Sequence, residues 1–225
     1  LKAIPAEKRS KYNREVLEKA VGEIINLEAG GFEADKANIL DLRQFNLDTL
    51  LIVARGSQAK NNITGLLNLV KRKNIPILEC NLTGFLPEAM NRFLVILNQN
   101  KIKMYLEMSE HPNVNLITGQ PLLKGNGTSG RAFFPVTLGP LDISDDKLTI
   151  PDYDAGLYAI ALAMKAGVKN ILLAGFDGFD DPDITAGKDL YFAQFAKMAE
   201  QLEINLLLIT PSKYRSIKQS SLYIF

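Results

Sequence analysis

The sequence predicts an α/β fold: a three-layer sandwich with a mostly parallel sheet and helices on both faces. Three observations lead there. Leu50-Leu51-Ile52-Val53-Ala54 and Ile171-Leu172-Leu173-Ala174 are short apolar runs without alternation, the pattern of strands buried on both faces. Stretches of helical period lie between such runs. Strands that alternate with helices form βαβ units, whose crossovers cover both faces of a parallel sheet.

The elements follow in order. Residues 1–30 read as a helical arm or linker ahead of an α/β domain over 31–225. Pro5 suits a first helical turn, and Tyr12, Val16, Ala20 and Ile24 recur every four residues beside Leu17, Val21 and Ile25. Gly30-Gly31 ends that helix. A strand over 50–54 stops at Arg55-Gly56-Ser57. One helix then runs through Leu66, Leu67, Leu69 and Val70 to Lys71-Arg72-Lys73, cations suited to a helix C-terminus. Further strands cover 76–80, 93–97 and, more weakly, 115–118. Within 121–150, rich in Gly, Pro, Ser, Thr and Asp, residues 132–138 read as an edge strand, because Pro135 cannot donate to a central ladder. Asp152 or Asp154 caps the next helix, which has an apolar stripe of Leu157, Ile160, Ala161 and Met164 and closes at Gly167. Strand 171–174, a helix over 188–202 and strand 204–209 follow, with a stop at Pro211. The tail, 212–225, wraps back as a short helix or strand.

Composition narrows the function. The chain has 225 residues, 47% hydrophobic, with 26 basic and 25 acidic side chains. That near-balance gives no electrostatic footprint for nucleic acid or a membrane surface, and no apolar run reaches the ~20 residues of a span. One cysteine forbids an internal disulfide and suits the reducing cytoplasm; one histidine excludes multi-histidine metal sites and paired-histidine catalysis. The chain begins at Leu1, which reads as an excised piece of a longer protein or as the product of tag removal.

In open parallel sheets, ligands bind outside the carboxyl ends of the strands, near the point where strand order reverses. That rule singles out 55–61, 80–85, 98–103, 118–130, 175–188 and 210–214. Arg55-Gly56-Ser57 sits where a phosphate-binding turn belongs, with strand before and helix after, although neither the dinucleotide fingerprint nor the P-loop lysine motif is present. Asn81 and Asn98 each follow a strand and can read a base or a sugar hydroxyl. Thr118 and Gly175 open two of the segments. Asp177, at a strand end, is the candidate for a ribose hydroxyl, a proton or Mg²⁺; Asp180 is a weaker metal candidate, in a solvated acidic loop with Asp181 and Asp183. Lys213 and Tyr214 are placed to close over a ligand. His111 reads as a surface or capping histidine, and Cys80 as a small hydrophobe.

The order of these segments resembles bacterial sialyltransferases. Leu51 to Ser57 stands where that family carries a strand and a Gly-x-Gly-Pro-Ser turn, and Glu79-Cys80-Asn81 and Leu94 to Asn98 resemble its second and third strands. The strongest match runs from Asp154-Ala155-Gly156 to Gly175-Phe176-Asp177, resembling the family's Ser-Gly helix opening and Gly-x-Asp strand end. The same block marks a wider Rossmann-like group that includes flagellin glycosyltransferases and pterin pyrophosphokinase-like proteins. The chain as a whole is similar to the domain that follows an aldolase-type barrel in 4-hydroxy-2-oxovalerate aldolase or hydroxymethylglutaryl-CoA lyase-like proteins of surface-polysaccharide metabolism. The resemblance implies a nucleotide or nucleotide-sugar ligand, with Mg²⁺ accompanying it. Gly56 and Ser57 would be at the phosphate, Asn81 and Asn98 at strand-end contacts, and Ala155-Gly156 beside the nucleotide. It implies an accessory domain of a lyase, with an aldolase-type barrel as partner. The alternatives are a glycosyl- or pyrophosphoryl-transferase using Asp177, or an assembly module with a vestigial pocket that docks the barrel or a second copy as a homodimer. The sialyltransferases' lid histidine has no counterpart between Gly178 and Ala186.

Overall fold

The structure, a computed structural model, describes residues 40–42, 48–87, 92–107, 115–119, 131–144 and 146–224. These all belong to one compact unit, Ala37–Phe225. The expected helix over 1–30 and His111 lie outside the described residues.

The elements are β1 (Thr49–Val53), α1 (Ser57–Asn61), α2 (Ile63–Lys73), β2 (Ile77–Cys80), β3 (Arg92–Val95), α3 (Gln99–Glu107), β4 (Asn115–Thr118), β5 (Arg131–Phe133), β6 (Val136–Leu138), β7 (Leu148–Ile150), α4 (Ala155–Lys165), β8 (Asn170–Ala174), α5 (Pro182–Gln201), β9 (Asn205–Leu208) and β10 (Lys218–Gln219). Eight strands form one sheet in the order β10-β9-β8-β1-β2-β3-β4-β5, and every pairing in it is parallel. The chain winds outward from β1 to β5, then returns to the other side of β1 with β8, β9 and β10. Strand order therefore reverses between β1 and β8.

Side chains of β1 alternate between two cores. Leu50 and Ile52 pack with α4 and with Phe192 and Phe195 of α5; Leu51 and Val53 pack with Leu66, Leu69 and Val70 of α2. On the second face, Ile102 and Tyr105 of α3 cover Leu94, Ile96 and Leu116. This is the three-layer sandwich that the sequence predicts.

Several elements differ from the sequence reading, each for a local reason. The single helix after β1 is two, α1 and α2, which meet at Asn62. Helix α3 is an addition to the sequence reading; its described apolar residues Ile102 and Tyr105 are buried while Met104 is exposed, which blurs the helical period. Helix α5 begins at Pro182 rather than 188: the Asp181 carboxylate accepts from the Asp183 and Ile184 amides, and Pro182 occupies the first turn. Asp181 and Asp183 thus belong to a helix start, not to a solvated loop. Residues 132–138 are not one strand. They break at Pro135, leaving β5 on the sheet edge and β6 paired with β7 in a second, two-stranded parallel sheet. Helix α4 is not striped; Ala155 through Met164 are all buried. It lies against β1 and β2 on one side and β7 and α5 on others, so an all-round apolar surface is required. The tail does return, as β10 beside β9.

A buried ion pair divides the second face. Glu79 (0% exposed) of β2 and Arg92 (5%) of β3 approach to 3.2 Å between the α2 and α3 cores. Glu79 Oε1 accepts from the Thr83 amide at 2.6 Å and the Thr83 hydroxyl at 2.7 Å, and Arg92 Nη1 donates to the Leu86 carbonyl at 3.1 Å. The pair thereby ties the 81–87 loop down over the sheet. Removing one partner strands the other charge in the interior. Arg92→Ala should lower unfolding free energy by ~3 kcal/mol in urea titration, and the double variant Glu79→Leu/Arg92→Met should recover part of that loss.

Candidate functional site

The site lies at the carboxyl ends of β1 and β8, where strand order reverses. Two turns leave those strands and touch backbone to backbone. The Ala54 amide donates to the Ala174 carbonyl at 2.8 Å, and the Gly56 amide to the Gly175 carbonyl at 2.9 Å. Such an approach leaves no room for a side chain. A Cβ on Gly56 would fall 2.3 Å from the Gly175 carbonyl oxygen, and one on Gly175 would fall 2.4 Å from that of Ala54. Gly175 also has φ +75°, a conformation costly for any other residue. Its amide is held by the buried hydroxyl of Thr210, at the end of β9, at 3.0 Å.

Asp177 is at the centre of this arrangement. Its Oδ2 accepts from the Ser57 hydroxyl at 3.1 Å and from the Gln58 amide at 2.9 Å. Its Oδ1 is buried against Gly56, with no hydrogen-bond partner among the described residues. The Asp177 carbonyl accepts from the Lys213 amide at 2.9 Å, and the Lys213 ammonium reaches Asp180 at 3.1 Å and the Phe179 carbonyl at 2.9 Å. The structure therefore brings Arg55, Gly56, Ser57, Gly175, Asp177, Asp180 and Lys213 together.

A second group forms around the start of α4. Asp154 Oδ1 accepts from the Gly156 amide at 2.8 Å and the Leu157 amide at 3.2 Å, which identifies the cap as Asp154 rather than Asp152. Its Oδ2 lies 3.3 Å from the Lys188 ammonium, which also meets Asp152. Burial disfavours the charge on Lys188, but Asp154 and Asp152 outweigh it, and its pKa is raised. Ala155 is buried, and its carbonyl accepts from the Cys80 thiol at 3.6 Å. Gly156 is buried against the Phe176 ring, 2.7 Å from where its Cβ would be. Burial, then the charges of Asp154 and Glu79, push the Cys80 thiol well above its ordinary pKa.

The remaining residues sit farther along the sheet. Asn81 has φ 57°, and its Oδ1 lies 3.4 Å from the Lys101 ammonium. Asn98 is exposed and starts α3, its Oδ1 accepting from the Lys101 amide at 3.1 Å. Thr118 is buried; its carbonyl accepts from the Tyr158 hydroxyl at 2.9 Å. Sequence reasoning missed Gln58, Lys101, Lys188 and Thr210. All four fall within strand-end segments that the sequence marked, but Lys188 is joined to Asp154 only by the packing of α5 on α4. Among the described residues, no three His, Cys, Asp or Glu side chains group to hold a metal ion. An open hollow of about 600 Å³ lined by Pro135, Ser144, Asp146 and Lys147 contains none of the residues the sequence singled out.

The fold and this edge define a doubly wound parallel α/β protein whose switch-point turns are closed by its own carboxylates. No family model, curated protein or solved structure matches the chain. No helix among the described residues is long and apolar enough to cross a membrane.

Two outcomes follow from the geometry. Gly175→Ala should cost more than 2 kcal/mol, combining the positive-φ penalty with a backbone clash, whereas Gly84→Ala, with φ +77° but nothing within 4 Å, should cost only ~1 kcal/mol. Burial, then Asp154, pushes the Tyr214 phenol up to about 12. The folded state thus holds that proton more tightly than the unfolded chain, whose phenol titrates near 10. The associated stability is present below pH ~10 and is lost as pH rises from there through 12. Tyr214→Phe should flatten that alkaline fall in a series of thermal melts.

Proposed function

We propose that this domain binds a nucleotide or nucleotide-linked sugar at the carboxyl edge of its sheet. The observation that carries the reading is the meeting of Ser57 and Asp177 at the β1–β8 switch point, where doubly wound sheets place their ligands. Around it lie exposed groups that suit a phosphorylated, hydroxyl-rich ligand: Arg55 after β1, and Lys101 beside Asn81 after β2. Any Mg²⁺ would arrive on the ligand's phosphates. On the resemblance described above, the partner is an aldolase-type barrel and the domain is accessory to a lyase of surface-polysaccharide metabolism.

A specific observation favours a second reading, an assembly module with a vestigial pocket. The donors at the starts of α1 and α4 are met by Asp177 and Asp154, and Gly156 lies under an aromatic ring. Both positions that could attract a phosphate hold a carboxylate of the protein itself.

A thermal-shift panel separates the two. It comprises nucleosides, their mono- and diphosphates, and cytidine- and uridine-linked sugars, each with and without Mg²⁺. A ligand at a hundred times its Kd should stabilise by ~2.7 kcal/mol. Asp177→Ala should reduce the shift. A flat panel would remove the nucleotide reading and leave the assembly module.

A further inference from the structure

We infer that the turn after β1 meets hydroxyl groups of the ligand, and that the phosphate falls to Arg55; this rests on the nucleotide reading above. The inference comes from counting donors. A turn that holds phosphate must offer free N–H and O–H groups. Here three of the turn's donors are already used, the Gly56 amide on the Gly175 carbonyl and the Ser57 hydroxyl and Gln58 amide on Asp177 Oδ2, which sets a carboxylate in the turn itself. A hydroxyl that has donated its proton keeps its lone pairs, so Ser57 Oγ still accepts, as does the carboxylate. Acceptors pair with a sugar's hydroxyls and repel a phosphate.

The charges around the turn point the same way. Asp177 is inside it. The start of α4, an eleven-residue helix that would otherwise attract an anion, holds the carboxylate of Asp154. Phe176, next to Asp177, packs on that helix start, so both carboxylates belong to one neighbourhood. Two cations there are already engaged: Lys188 with Asp152 and Asp154, and Lys213 with Asp180. Arg55 is exposed and has no hydrogen bond or ion pair with the described residues. A guanidinium is also the side chain best shaped to take a phosphate in two parallel hydrogen bonds.

Titration calorimetry with paired probes tests this: cytidine and CMP, uridine and UMP, adenosine and AMP, guanosine and GMP, with inorganic phosphate alongside. Ser57→Ala should weaken a nucleoside and its monophosphate by the same factor, about fivefold, because the lost contact is to a hydroxyl common to both. Ser57→Thr, which keeps the hydroxyl, should keep both affinities. Arg55→Ala should weaken the monophosphate by about tenfold and leave the nucleoside unchanged. Inorganic phosphate should not bind at the turn. The inference is overturned, with the nucleotide reading intact, if Ser57→Ala weakens only the monophosphate. It is equally overturned if Arg55→Ala spares the monophosphate or weakens both probes alike, or if phosphate binds the native protein and is lost in Ser57→Ala. If no probe binds the native protein, the nucleotide reading fails and this assignment fails with it.

Discussion

The contact on which the rest of this structure depends is the approach of two backbones at the end of β1 and β8. Both strands are buried on both faces, and the turns that leave them must pass within hydrogen-bonding distance of each other. Only glycine at 56 and 175 permits this, since a Cβ on either would lie inside the other turn's carbonyl. Once the turns touch, the neighbours are placed. Ser57 and Gln58 face Asp177, Thr210 reaches the Gly175 amide, and Lys213 is drawn alongside the Asp177 carbonyl. The candidate site is thus a consequence of strand order and of two missing side chains.

Several buried polar groups of the interior are bonded from within the chain, although Glu79 Oε2, Arg92 Nε and Asp177 Oδ1 have no hydrogen bond among the described residues. Glu79 and Arg92 sit between two apolar cores and are tied to Thr83 and to the Leu86 carbonyl, so the loop that crosses them is held by charge. Tyr158, fully buried in the first turn of α4, places its hydroxyl on the Thr118 and Phe134 carbonyls, where the backbone leaves the main sheet for β6. An unpaired buried polar group costs ~1–3 kcal/mol, so these bonds favour the arrangement in which they form. The same economy at the carboxyl edge closes both helix starts with aspartates. A fold of a kind that often presents bare N–H groups to an anion presents acceptors here.

The order of strands and helices was legible because parallel strands buried on both faces leave an unmistakable mark, as in 50–54 and 171–174. Elements without that mark were harder to read. Among the described side chains of helix α3, Ile102 and Tyr105 are the buried ones, and the period they mark is faint. Asp181-Pro182-Asp183, the start of α5, reads in sequence as an acidic loop, because capping and solvation use the same residues. The stripe on α4 understated its burial, since a second small sheet covers the side that a stripe leaves to solvent.

Taken alone, the sequence determined the fold class, the strand-end positions, and the presence of a glycine and, two residues on, an aspartate just past a strand. Each of these follows from local patterning, in which period, turn residues and run length suffice. Only the tertiary structure decided what those residues do to one another. Ser57 and Asp177 are 120 positions apart, and nothing local states that the donors of one are spent on the carboxylate of the other. Likewise, Asp154 was legible as a helix cap, but not as the partner of Lys188, 34 residues on. Hydrogen bonding is decided by distances of a few tenths of an ångström, and those exist only once the sheet has brought its carboxyl ends together.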